Sequence, residues 1–135
     1  PVFTDCDCGY VMNINNQSVV FTETLRTDFT QLSDVSANMD WRRQEFNVTK
    51  EGSSGPYGKL FTPHNIYSSP INPVASNNER NPSAGLLLEV KAALVDDMVP
   101  GAEIATTRTD MFYGTYRARI KVNCLPGSCA AFFWV

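Results

Sequence analysis

The sequence predicts an all-β fold, an antiparallel β-sandwich, on three observations. Short runs alternate apolar with polar residues, as half-buried strands do. Turn-forming residues separate these runs at short intervals. Gly, Ser, Pro and Asn crowd the longer connections, and five of the eight prolines fall between residues 56 and 82. The 135 residues suffice for one domain with a core and are too few for two.

Residues 1–10 read as an extended arm that carries Cys6 and Cys8. Val19-Val20-Phe21 is a short apolar group, and Leu25, Phe29 and Leu32 have the spacing of a helical turn. Trp41 to Val48 reads as one strand, with Phe46 and Val48 alternating against polar neighbours. Residues 49–83 are surface loops broken by short strands, because Tyr57, Leu60, Phe61, Ile66, Tyr67 and Ile71 require burial. Leu86, Leu88 and Val90 alternate with Leu87, Glu89 and Lys91 along a further strand, a helix through Leu94 being the alternative. Asp96-Asp97 and Pro100-Gly101 mark turns, and Ala102 and Ile104 alternate along the next strand. Another strand runs from Tyr116 to Val122, Leu125-Pro126-Gly127-Ser128 supplies a hairpin turn, and Cys129 to Val135 forms a last, nearly all-apolar strand.

A net charge of −3 gives no reason to approach a phosphate backbone, so nucleic acid is not expected as a partner. Arg117, Arg119 and Lys121 share one strand face and read as a solvated surface. No apolar stretch has the length of a membrane span. Four cysteines, Cys6, Cys8, Cys124 and Cys129, are spaced C-x-C and C-x₄-C. Those spacings fit structural zinc poorly and favour disulfides in an oxidising compartment. Three connectivities exist, and strain in a Cys6–Cys8 bridge favours links from the arm to the 124–129 hairpin. Asn16-Gln17-Ser18 and Asn47-Val48-Thr49 are glycosylation acceptors, which together with the cysteines predict a secreted, extracellular protein. The chain opens on Pro1 rather than on a leader, as a processed or excised chain would. No cofactor is expected, and His64 has no Ser, Cys or Asp partner at motif spacing.

From Gly101 the chain reads Gly-Ala-Glu-Ile-Ala-Thr-Thr-Arg-Thr-Asp-Met-Phe-Tyr-Gly-Thr-Tyr-Arg-Ala-Arg-Ile-Lys, and after Pro126-Gly127 it continues Ala130-Ala131-Phe132-Phe133-Trp134. This order resembles the approach to the active site in glycoside hydrolase family 16: an E-x-x-[ST] strand, Y-G-x-[YF]-x-[AV]-x-[IM]-K, a glycine-bearing hairpin and an A-F-[FW] strand. Cys6-Asp7-Cys8-Gly9-Tyr10, Thr27-Asp28-Phe29 and Trp41 resemble secreted fungal members. The resemblance is clear over about a third of the chain.

It implies a concanavalin-like jelly roll with a β-glucan or related cell-wall polysaccharide lying along the concave face. It also implies retaining hydrolysis or transfer of O-glycosidic bonds by a carboxylate pair about 5 Å apart. The family carries that pair in an E-x-D-x-x-E segment after the Phe-Phe-Trp strand, which here would lie beyond Val135. The 135 residues are therefore expected to be the N-terminal portion of such a domain. Its C-terminal half would be a possible partner, and catalysis would not reside in this chain alone.

No other carboxylates form a convincing couple. Asp5 and Asp7 sit on the arm, Asp96-Asp97 in a turn, and Glu103 and Asp110 lie too far apart along one segment. The resemblance implies that Glu103 accepts hydrogen bonds from sugar hydroxyls, and that Phe133 or Trp134, whichever faces the cleft, stacks on a pyranose ring. Where many family members have arginine this chain has Ala105, and Arg108 is the nearby substitute. The alternative reading is a non-catalytic, secreted, lectin-like module that binds glycan and cleaves nothing.

Overall fold

A computed structural model describes residues 10–69, 84–123 and 126–134. The expectations for Asp5, Asp7, Cys6, Cys8 and Cys124 lie outside those residues. The described chain is all-β. Its nine strands are β1 (Tyr10–Ile14), β2 (Gln17–Phe21), β3 (Trp41–Arg43), β4 (Phe46–Val48), β5 (Gly58–Phe61), β6 (Ile66–Ser69), β7 (Gly85–Leu88), β8 (Met98–Gly101) and β9 (Ile104–Thr106). The helical content is three single 3-10 turns, Val35–Ala37, Lys50–Gly52 and Pro63–Asn65.

The strands form four small sheets: β1-β2, β3-β9, β4-β5-β8 and β6-β7. All pairings are antiparallel except β5 with β8, which run parallel with Gly58 opposite Met98. The β1–β2 hairpin turns on Asn15 and Asn16 at φ +50° and +64°. Two consecutive left-handed residues define the tight turn whose twist suits a hairpin, and asparagine tolerates that conformation better than most residues. Ser18 Oγ donates to Asn13 Oδ1 across the ladder at 2.8 Å. Asp96 and Asp97 repeat the device, with φ +48° and +58°, between Val95 and Met98.

The stretch from Trp41 to Val48 is not one strand but two. β3 pairs with β9 and β4 pairs with β5, so the chain changes sheets at Gln44-Glu45. Gln44 N still reaches the Glu103 carbonyl at 2.9 Å, which carries the first ladder to the point of departure. Pro100-Gly101, expected in a turn, lies inside β8 instead. Proline lacks an N–H, and β8 tolerates it because it is the outer strand of its sheet. Gly85–Leu88 is extended, which excludes the helical alternative there.

No helix forms from Leu25 to Leu32, only a single turn closed by Gln31 N donating to the Asp28 carbonyl at 3.1 Å. Asp28 Oδ1 accepts from Thr30 N at 3.0 Å and from Thr30 Oγ1 at 2.7 Å, which caps that turn locally. Residues 116–122 and 129–134 are not strands either. Pro126-Gly127 does turn, with Gly127 at φ +87°, but no ladder flanks it among the described residues. Alternation marks a segment able to cover a sheet face; only a paired neighbour makes it a strand.

The buried centre lies between the ladders. Val35 and Ile66 are 2% and 4% exposed, and Asn65 is 2% exposed. Asn65 Nδ2 donates to the Gly101 carbonyl at 3.2 Å, and its own carbonyl accepts from Glu89 N at 2.9 Å. One side chain and one peptide group thus join the ends of β7 and β8 to the 3-10 turn before β6. Ser68 Oγ accepts from Val35 N at 2.8 Å, which brings the Val35–Ala37 turn onto β6. Phe46 and Phe61, opposite each other in β4–β5, stack with centroids 4.7 Å apart.

Candidate functional site

Glu103 lies in the two-residue gap between β8 and β9, half-buried, with its backbone carbonyl fixed by Gln44 N. Its carboxylate has no hydrogen bond or ion pair among the described residues, so its oxygens are available to an incoming hydroxyl. Ala105 lies opposite Arg42 on β3. Arg108, the substitute for an arginine at position 105, is committed elsewhere. Its Nε and Nη2 bind Asp110 Oδ1 and Oδ2 at 2.9 Å each, and its Nη1 binds Glu23 Oε2. Both acids push the guanidinium pKa up, and the guanidinium holds Asp110 below the usual carboxylate range. Arg108 is therefore a tie between the segment after β2 and the segment after β9, with its donor fork occupied.

The two aromatic candidates differ. Phe133 is exposed and takes part in no ring pair among the described residues. Trp134 stacks on Tyr116, with centroids 5.9 Å apart and planes inclined at 24°. Both rings are anchored at one atom, the Met111 carbonyl, which accepts from Trp134 Nε1 at 2.6 Å and from Tyr116 Oη at 2.9 Å. Polar edges bound inward and ring surface left in water make a flat apolar platform. Phe112 and Tyr113, the latter 95% exposed, lie on the same stretch. Tyr116 was legible beforehand only as a strand residue; its partnership with Trp134 depends on a fold-back that periodicity does not encode. No hydrogen bond links Glu103 to Trp134 among the described residues.

Among the described carboxylates with a displaced pKa, none shows the raised value of a general acid. A general acid needs a raised pKa, whereas Asp28, Asp34, Glu89 and Asp110 are all lowered. The causes are local donors: Thr30 for Asp28, Ser36 for Asp34, the Tyr67 hydroxyl for Glu89 and Arg108 for Asp110. Glu23 and Asp110 approach the same guanidinium, whose single charge offsets one of their two. Among the described residues no group of three His, Cys, Asp or Glu side chains is placed to hold a metal ion. His64 sits in the Pro63–Asn65 turn with Nδ1 3.2 Å from Thr62 Oγ1.

Asn16 occupies the β1–β2 turn and is exposed, and Asn47 is exposed on β4, the outer strand of its sheet. Both acceptors are thus open to water. Cys129 is an exposed free thiol. Among the described residues no helix is long and apolar enough to cross a membrane. Two open depressions flank Trp41, whose Nε1 donates to Thr27 Oγ1 at 2.8 Å and whose ring meets Phe29 at 5.4 Å. The larger, about 470 Å³, is lined by Asn38, Met39, Trp41, Arg42, Arg43 and neighbouring residues. The smaller, about 280 Å³, has Arg26, Asp28 and Asp40 in its wall. Comparison of the chain with models of known families, with curated proteins and with solved structures yields no match.

Proposed function

We propose that this chain is the glycan-binding portion of a secreted β-glucan-acting domain of the family 16 type, folded as a concanavalin-like jelly roll. The reading is carried by the exposed Tyr116–Trp134 stack, set in the stretch from Glu103 to Trp134 whose order of residues resembles that family. Pyranose rings present apolar C–H faces that pack on flat aromatic surface, while their hydroxyls seek carboxylates such as Glu103. Hydrolysis or transfer then draws its carboxylate pair from polypeptide outside these 135 residues. That placement is what the family resemblance implies, with the pair lying after the Phe-Phe-Trp strand; the lowered acids at Asp28, Asp34, Glu89 and Asp110 support it. The exposed acceptors Asn16 and Asn47 support the secretory setting.

A lectin-like module is the second reading, favoured by the lack of a raised-pKa acid among the described carboxylates with a displaced pKa. Titration of the chain with soluble β-1,3- and β-1,4-glucans, followed by tryptophan fluorescence, tests binding. Release of reducing ends, assayed in parallel, separates the two readings. Saturable binding lost in Trp134→Ala supports the glycan site. No binding to either glucan would overturn it. Reducing ends released by this chain alone would overturn the assignment of catalysis to other polypeptide.

A further inference from the structure

We infer that the larger depression beside Trp41 is a subsite for a carboxylate-bearing sugar, a uronate residue. The anion preference stands on the geometry of the depression; that its ligand is a sugar rests on the glycan-binding reading above. The cavity, about 470 Å³, has the size of a small-ligand site. Its wall includes two guanidiniums, Arg42 and Arg43, and no acidic side chain. Adjacent strand residues project to opposite faces, and the depression is lined by both arginines of β3 together with Thr107, just past the end of β9. A ligand seated there meets cationic donors from two directions.

The donors are underused. Arg42 is exposed and has no ion pair or hydrogen bond among the described residues. Arg43 makes one long bond, Nη1 to the Pro63 carbonyl at 3.5 Å, and its charge also reaches Asp34, which lies outside the wall; the rest of its fork has no hydrogen bond among the described residues. Asn38 Oδ1 accepts from Asp40 N at 2.9 Å, so its amide N–H groups point to other partners. In a chain of net charge −3, an acid-free wall with two open guanidiniums selects for negative charge. The remaining wall is apolar or weakly polar: Ala37, Pro63, the Trp41 ring and Met39, which is 87% exposed. A planar carboxylate on a ring with apolar faces matches this combination. A free inorganic anion would leave the apolar half unsatisfied, and a neutral hexose would leave the guanidiniums unmatched.

The test is calorimetric titration of the whole chain with oligogalacturonate, beside neutral cello- and laminari-oligosaccharides of equal length. Oligogalacturonate binding should weaken about tenfold in Arg42→Gln and further in the Arg42→Gln/Arg43→Gln pair, as loss of charge-assisted bonds requires. It should also weaken in about 1 M salt, where the screening length falls to a few ångströms. Met39→Glu keeps both arginines and alters an exposed side chain, so it should fold normally and still repel the uronate. Trp134→Ala should leave uronate binding intact while abolishing binding of neutral glucan.

Uronate affinity unchanged in Arg42→Gln/Arg43→Gln and in Met39→Glu would overturn the subsite. Preference for neutral oligosaccharides would overturn it too, while leaving the glucan reading standing. Uronate binding without any glucan binding would instead sink the glucan reading and keep the subsite. Affinity for inorganic phosphate equal to that for oligogalacturonate would reduce the site to a plain anion patch and overturn the sugar assignment.

Discussion

Residues 41–106 and residues 107–134 both expose large apolar side chains, but they differ in how the backbone beneath them is held. In the first stretch backbone groups are paired in ladders, and Asn65 and Ile66 sit buried where β6, β7 and β8 come together, with Val35 of a preceding turn packed in beside them. In the second, Phe112, Tyr113, Ile120, Val122, Phe132, Phe133 and Trp134 all remain exposed, and order comes from single anchors such as the Met111 carbonyl. Contiguous exposed apolar surface is characteristic of interaction sites, and the glycan reading proposed above assigns these side chains to one. Paired backbone makes a scaffold, whereas unpaired aromatics make a surface for recognition.

Substitutions can break this contrast, and the largest effect is expected at Gly58. A Cβ there would lie 2.7 Å from both the Val48 carbonyl oxygen and Met98 Cγ. The carbonyl belongs to the β4–β5 ladder and cannot yield, so Gly58→Ala should cost about 3 kcal/mol by urea denaturation. Asn65→Ala comes next, at about 2 kcal/mol, because the Gly101 carbonyl loses a buried donor. Unchanged denaturation midpoints in both variants would refute the buried junction.

Acid should act next, and its sign is fixed. Asp28, Asp34, Glu89 and Asp110 have folded pKa values below their ordinary ones of 3.8 to 4.5. The folded state therefore binds these protons less readily than the unfolded one. Their contribution is present above the unfolded pKa and is lost as pH falls below about 4. A melting temperature that rises on acidification through that range would contradict the four local networks. At the alkaline end, Glu89 raises the pKa of Tyr67, so phenolate formation at Tyr67 should lag the other tyrosines in an ultraviolet titration. Glu89→Gln should remove the lag.

The smallest effect on stability belongs to the second region. Tyr113→Ser and Phe112→Ser should each shift stability by no more than about 0.5 kcal/mol, since both side chains are already in water. Their effect should appear in glucan affinity. A large loss of stability in either would mean that residues 107–134 have a core of their own.

How far the sequence could be read divides along the same line. The all-β class, the strand at 86–88 and the Asp96-Asp97 turn were legible because alternation and turn chemistry are local signals. The division of Trp41–Val48 between two sheets was not, because it depends on which distant strands arrive at each half. Asn15-Asn16 offered a hairpin signal, two residues tolerant of left-handed backbone between extended runs, that the glycosylation reading of Asn16 obscured. Pro100-Gly101 misled in the other direction, since proline reads as a turn wherever the edge position of its strand is unknown. At the candidate site, Glu103 and Trp134 could be named only through the family resemblance. The Tyr116–Trp134 stack, the capture of Arg108 by Glu23 and Asp110, and the acid-free wall at Arg42-Arg43 required coordinates.

The pairings are also nested like brackets. β6 pairs with β7, and that pair lies between β5 and β8; both pairs lie between β3 and β9. Closing an inner bracket shortens the free chain that the next must close, so each step spares the following one part of its loop entropy. The parallel β5–β8 pairing, entropically the most awkward of the set, becomes accessible once β6 and β7 have met. Assembly from the inside outward would then deliver Arg42, Arg43 and Glu103 to their places last, when β3 and β9 zip together.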